Sequence, residues 1–250
     1  MTAHTPRFNQ KVALVTGGSR GIGEAIVRRL SAEGAAVAFT YSSSADKAQA
    51  MVGLIESKGG KALAIQADSA DVVAIERAVA TTVERFGALN ILVNNAGILL
   101  MGTVDTFSLE DFDRMFAVNV RATFAAAKAS SAVMHEGDRI ITVGSVVAQR
   151  SGFPGSSVYS MTKSAIAGMI RGLAIDFAPR GITVNNVQPG PTSTDMNPAD
   201  GPHADMIKSL IPLGRVGTAD DVAGMVAYLA SEDAAFVTGA SMTIDGGYLA

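Results

Sequence analysis

The 250-residue chain contains no cysteine. Disulfides, thiolate nucleophiles and cysteine-ligated metal centres are thereby excluded. Histidine is nearly as scarce: His4, His135 and His203 are the only three, they lie far apart, and no metal site is expected from them. Positive charge is not in excess either. A formal net charge of -3 offers no general attraction to nucleic acid or to an anionic membrane. No apolar run reaches membrane-spanning length without a charge or a glycine. Met1 to Gln10 is polar where a secretory signal would be hydrophobic, so a cytoplasmic protein is expected. Charged residues amount to 17% and apolar ones to 48%, enough to build a large core and incompatible with a disordered chain.

What is present is a regular alternation. Short apolar runs at Val12–Thr16, Ala35–Thr40, Ala62–Gln66, Ile91–Val93, Arg139–Val143, Ile182–Val187 and Ser241–Ile244 have strand character. Between them lie helix-length patterns at Gly23–Glu33, Ala45–Ser57, Val72–Phe86, Leu109–Val133, Val158–Phe177 and Ala219–Leu229. Continuous apolar strands interleaved with helices imply βαβ units and a parallel sheet covered on both faces. No linker interrupts the pattern. The expectation is one α/β domain over 1–250, a doubly wound Rossmann fold with a seven-stranded parallel sheet in the order 3-2-1-4-5-6-7. About nine N-terminal residues are expected to form a flexible tail. Residues 189–213, with prolines at Pro191, Pro198, Pro202 and Pro212, break the rhythm and are expected to form a lid beyond the carboxyl end of the sixth strand.

The first strand runs into Thr16-Gly17-Gly18-Ser19-Arg20-Gly21-Ile22-Gly23, which opens a helix. Glycines there permit a tight turn and let backbone N–H groups approach a pyrophosphate at the positive end of that helix. A dinucleotide site that binds NAD(H) usually places an acid at the end of the second strand, to accept from the ribose 2′-hydroxyl. The sequence instead reads Tyr41-Ser42-Ser43. Arg20 with the hydroxyls of Ser42 and Ser43 suits a 2′-phosphate, which favours NADP(H) over NAD(H).

Tyr159 and Lys163 stand one helical turn apart on one face. A phenol near pKa 10 is a poor acid–base group at neutral pH, and a neighbouring ammonium is expected to bring it into range. Gly144-Ser145 ends the fifth strand, Asn94-Asn95-Ala96-Gly97 follows the fourth, and Asn119 lies in the long helix after it.

Taken together, these motifs resemble those of the classical short-chain dehydrogenases/reductases, in order and spacing, from about Lys11 to Tyr248. The resemblance implies that Tyr159 protonates a carbonyl oxygen held by Ser145. It implies that Lys163 lowers the tyrosine pKa and binds the nicotinamide ribose, and that Asn119 anchors a water behind the lysine; a core amide is the other reading of Asn119. Gly17, Ser19, Arg20, Gly21, Ile22 and Gly23 would form the cofactor loop, with Tyr41, Ser42 and Ser43 beside it. Asp68 and Ser69 would contact the adenine, Asn95, Ala96 and Gly97 the adenosine and ribose side, and Pro189, Gly190 and Thr192 the nicotinamide carboxamide. Asn94 would tie strands together. A homotetramer is implied as well, with the long helices at Leu109–Val133 and Tyr159–Phe177 pairing between subunits.

Within the family the pattern is similar to the 3-oxoacyl-acyl-carrier-protein reductases, through Arg20, Ile182-Thr183-Val184-Asn185 and Ile244-Asp245-Gly246-Gly247. Two features of that group are missing. Ser130 to Asp138 carries no basic cluster, and Ile175 replaces an arginine late in the Tyr–Lys helix, so a freely diffusing ketone fits better than a carrier-bound one. Gln188 to Pro202 resembles a branch with cyclic-di-GMP-binding biofilm-dispersal members, which makes a nucleotide-binding signalling protein the rival reading. Val146, Val147, Gln149, Phe153, Val158 and Met196 are candidate pocket residues and imply a mainly apolar carbonyl or alcohol substrate.

Overall fold

The computed structural model describes residues 6–194 and 204–250. Seven parallel strands form one sheet in the order β3-β2-β1-β4-β5-β6-β7. They are β1 (Val12–Val15), β2 (Ala36–Tyr41), β3 (Lys61–Gln66), β4 (Ile91–Asn94), β5 (Arg139–Val143), β6 (Thr183–Pro189) and β7 (Ser241–Ile244). The central strands β1, β4, β5 and β6 are buried along their whole length; β1 and most of β4 are apolar throughout, whereas β5 and β6 also bury Arg139, Thr142, Asn185, Asn186 and Gln188.

Successive side chains on each strand feed opposite cores. Ala13, Val15, Val37, Phe39 and Val93 pack under α1 (Gly21–Ala32), α2 (Ala45–Ser57) and α8 (Ala219–Ala230). Leu14, Ala38, Leu92, Ile140 and Val184 pack under α3 (Val72–Phe86), α5 (Ala122–Ser131) and α6 (Ser157–Phe177). The order reverses at β1, which pairs in parallel with β2 on one side and with β4 on the other, and this leaves a crevice at the carboxyl ends of β1 and β4.

Caps fix where several helices begin. Asp71 accepts from Val73 N at the start of α3, and Ser108 from Asp111 N at the start of α4 (Leu109–Phe116). Thr218 and Asp221 form a reciprocal capping box on α8. The single helix expected over Leu109–Val133 is in fact three pieces: α4, a π-turn at Ala117–Arg121, and α5. One extra residue per turn re-aims the side chain of Asn119, a change that hydrophobic periodicity does not encode.

The N-terminal tail is docked at its inner end. Phe8 is buried at 2% exposure, its N–H donates to Glu33 O, and Arg7 pairs with Asp233 and Glu33. The apolar side chain, rather than its position near a terminus, decides that segment's order. In the stretch after β6, α7 (Ala204–Ser209) is a short helix, and Thr192 bridges Gly217.

Candidate active site

The glycine loop is held by threonines at two strand ends. Thr40 Oγ1 accepts from Gly17 N at 2.9 Å and Thr40 O from Gly18 N at 2.9 Å. Thr16 Oγ1 accepts from both Asn95 N and Ala96 N at 3.0 Å. Asn95 Nδ2 donates to Thr16 O at 2.9 Å and Gly17 O at 3.0 Å. The Nδ2 of Asn95 is thereby committed to the loop and braces the cradle. Asn94 was expected to tie strands, yet its buried Nδ2 has no partner.

Close approach explains the glycines. A Cβ on Gly23 would stand 2.2 Å from Gly17 O and 2.5 Å from Asn95 Nδ2, and one on Gly18 2.5 Å from Phe39 Cβ. Gly17 has φ +67°, a left-handed conformation that disfavours side chains. Arg20 precedes α1 in extended conformation and offers no side-chain cap, so the first-turn N–H groups from Gly21 to Gly23 are directed to a ligand. This cradle fits a pyrophosphate. Arg20, Ser42 and Ser43 are all exposed at its edge, and Tyr41 ends β2 half-buried. Among the described residues Arg20 makes no ion pair, so its charge is available. Asp68 is exposed and accepts from Ala70 N at 2.9 Å, while Ser69, Ala96, Asn94, Thr16 and Val118 line one small indentation beside β4.

The second cluster lies at the ends of β5 and α6. Ser145 Oγ accepts from Val147 N at 3.3 Å, and its hydroxyl stands beside the Tyr159 phenol. Burial raises the Tyr159 pKa above its ordinary value, and the Ser145 hydrogen bond opposes that rise. Lys163 is 6% exposed and burial pushes it down to about 8. Its Nζ donates to Val143 O at 3.0 Å and lies 5.7 Å from the Tyr159 ring centroid. Desolvation is the dominant influence on the phenol, while the Lys163 ammonium addresses a backbone carbonyl.

Asn119 is 2% exposed and its amide is fully engaged. Oδ1 accepts from Ile98 N at 2.8 Å; Nδ2 donates to Ile98 O at 3.0 Å and to Thr162 Oγ1 at 3.1 Å. The side chain thus fixes the chain beyond β4 against α6, with Gly97 so close that a Cβ would meet Asn119 Oδ1 at 3.3 Å and Lys163 Nζ at 3.6 Å. Thr16, Thr40 and Thr162 escaped the sequence reading; a threonine at the end of a buried strand, just before the glycines, was the available signal for Thr16.

Beyond β6, Gly190 N donates to Ile244 O at 2.9 Å, and a Cβ on Gly190 would stand 2.5 Å from Asp245 Cβ. Pro189 pairs with Ile244, and Thr192 Oγ1 donates to Gly190 O at 2.9 Å. Of the candidate pocket residues, Phe153 is exposed, Val147 and Val158 are half-buried, and Val146 is core at 3% exposure. Gln149 turns aside to donate to Gln188 Oε1 at 2.5 Å. Met196 lies outside the described residues.

A pyrophosphate cradle, set beside a half-buried serine–tyrosine pair at the carboxyl end of a doubly wound sheet, defines an oxidoreductase scaffold. A family model described as enoyl-(acyl carrier protein) reductase matches residues 17–249, and the chain belongs to that family, within the short-chain dehydrogenases/reductases. It is 48% identical over 241 residues to the cyclic-di-GMP-binding biofilm dispersal mediator protein of Escherichia coli strain K12, covering 96% of this chain and 98% of that one. A short-chain dehydrogenase/reductase from Serratia marcescens BCRC 10948 is similar in structure, with TM-score 0.96 and 53% identity over 98% of this chain and 100% of that one. A short chain dehydrogenase from Burkholderia cenocepacia J2315, solved in complex with NADP, gives TM-score 0.96 and 52% identity over the same shares, 98% and 100%. Among the described residues no helix is long and apolar enough to cross a membrane.

Proposed function

We propose that this protein is a cytoplasmic NADPH-dependent carbonyl reductase, and in reverse an alcohol dehydrogenase, acting on a small, mainly apolar ketone. The observation that carries the reading is the juxtaposition of Ser145 and Tyr159, with Lys163 buried beside them. The 2′-phosphate is read by Arg20, Ser42 and Ser43, the pyrophosphate by the N–H groups of the glycine loop, the adenine by Asp68 and Ser69, and the carboxamide end by Pro189, Gly190 and Thr192. Bound there, the reduced cofactor supplies a hydride to the carbonyl carbon.

The chain's own residues manage the oxygen. Ser145 donates its hydroxyl proton to the carbonyl oxygen and orients it. Tyr159, kept protonated by a raised pKa, gives its proton to that oxygen as negative charge develops. Lys163 holds the ribose side and places a positive charge near the phenolate that results. Residues 189–213, of which 195–203 lie outside the described residues, would serve as a lid over the substrate. Assembly as a homotetramer is supported by apolar side chains left exposed on the α4–α6 face, Leu109, Phe124 and Met161.

The test is consumption of NADPH, followed by its absorbance, against ketones, β-keto esters and diketones. Carbonyl-dependent oxidation that falls by about 10²–10⁴ in Tyr159→Phe, with cofactor binding retained, supports the reading. Full activity in that variant sinks it. A second reading, a cyclic-dinucleotide-binding protein, is favoured by the name of the Escherichia coli relative. Tight binding of cyclic-di-GMP together with no turnover of any carbonyl would select it. A carrier-bound acyl substrate is disfavoured, because Ile175 stands 75% exposed where a basic grip would be needed.

A further inference from the structure

The rim around Ser145 and Tyr159 is built from three segments that touch one another. Gly102 N donates to Gly155 O at 3.2 Å, joining the chain after β4 to the loop between β5 and α6. That loop meets the C-terminal segment at Tyr248, whose hydroxyl would stand 2.9 Å from a Cβ on Gly152. The C-terminal segment in turn meets the stretch after α7, where Leu213 N donates to Gly246 O at 3.1 Å. Leu99, Met101, Phe153 and Leu213 expose apolar side chains along this rim.

One cation interrupts it. Arg150 lies over the Tyr248 ring, 5.8 Å from its centroid. Its backbone is fixed close to the catalytic serine, since Arg150 N donates to Val146 O at 3.1 Å. Its side chain is exposed, and among the described residues the guanidinium has no ion pair or hydrogen bond. The nearest carboxylate on the C-terminal segment, Asp245, is already engaged by Gly247 N at 2.9 Å and Leu249 N at 3.0 Å. A planar fork held by an aromatic face, with all its donors unused, is built to receive a carboxylate in bidentate fashion.

We propose that Arg150, braced by Tyr248, is a carboxylate subsite, and that the protein's substrates are ketones carrying a carboxylate remote from the reacting carbonyl across an apolar stem. This rests on the carbonyl-reductase reading above. In the reaction the subsite exchanges no atoms: it anchors one end of the substrate while the other end meets Ser145 and Tyr159.

The test compares 4-acetylbenzoate and 3-(4-acetylphenyl)propanoate with their methyl esters, at fixed NADPH. The wild type should show a KM about tenfold lower for the better acid than for its ester. Arg150→Gln should erase that preference, Tyr248→Phe should keep it, and Tyr248→Ala should weaken it. Equal KM values for acid and ester in the wild type, or the same preference in Arg150→Gln, would overturn the proposal. A second arm needs no turnover: calorimetric titration of the NADPH complex with 4-isopropylbenzoate. Binding that is lost in Arg150→Gln supports the subsite, and binding equal in both proteins overturns it. If no ketone is reduced, the reductase reading fails by itself while the titration still decides the subsite.

Discussion

The Nζ of Lys163 sits over the ring of Tyr159, 5.7 Å from its centroid, and spends its hydrogen bond on the carbonyl of Val143 rather than on the phenol. Charge on the lysine and protonation of the tyrosine are therefore set by their common burial. Desolvation acts on both, in opposite directions: it holds the proton on the phenol and strips it from the ammonium.

This sets the pH dependence. Lys163, pushed down to about 8, is charged below that pH and neutral above it, whereas Tyr159 stays protonated beyond its ordinary value. The kcat/KM for ketone reduction should therefore fall as pH rises through about 8, while the phenol still carries its proton. A plateau persisting to pH 10 would show that the lysine charge is not needed.

Gly23→Ala should destabilise the protein and disable the cradle together. The added carbon meets a backbone carbonyl at 2.2 Å, which cannot rotate away. A cost of about 1–3 kcal/mol corresponds to a melting temperature lower by roughly 2–12 °C, with loss of NADPH binding. Wild-type melting and affinity would contradict the packing of the loop.

Arg20→Ala should weaken NADPH by roughly 10–100-fold, the value of a charge-assisted hydrogen bond, and leave NADH almost unaffected. Titration of both cofactors against the variant measures the difference. Equal losses would remove Arg20 from the 2′-phosphate site.

Asn119→Ala should leave Ile98 N–H and C=O unpaired in a buried place, at about 1–3 kcal/mol for each group. A lower melting temperature and a lower kcat are expected together, since the same amide secures Thr162, whose hydroxyl donates to Tyr159 O at 2.8 Å. A drop in kcat with unaltered melting would point to the water-anchoring role.

Much of this architecture was legible because its signals are local. Buried parallel strands need continuous apolar runs, and a helix opening on glycines needs them where backbones nearly touch. So Val12 to Gly23 announced both a strand and a cradle before any contact was known. Two things were hidden. The π-turn around Asn119 changes one hydrogen-bond step without changing composition, and Phe8 looks like a stray residue in a polar tail until Glu33 and Asp233 come to meet its neighbour. The roles of Asn95 and Lys163 were also hidden, because the choice between binding a ligand and binding the backbone depends on distances that only the fold sets. Arg150 and Tyr248 lie far apart in the chain, and their pairing had no signature in the sequence.

The lattice of Thr16, Thr40 and Asn95 around the glycine loop does not include Arg20, Ser42 or Ser43, which stand exposed at its edge. Grip and choice are thus inherited separately. A lineage could exchange one nicotinamide coenzyme for the other through a few surface mutations, without rebuilding the part of the fold that every descendant must keep.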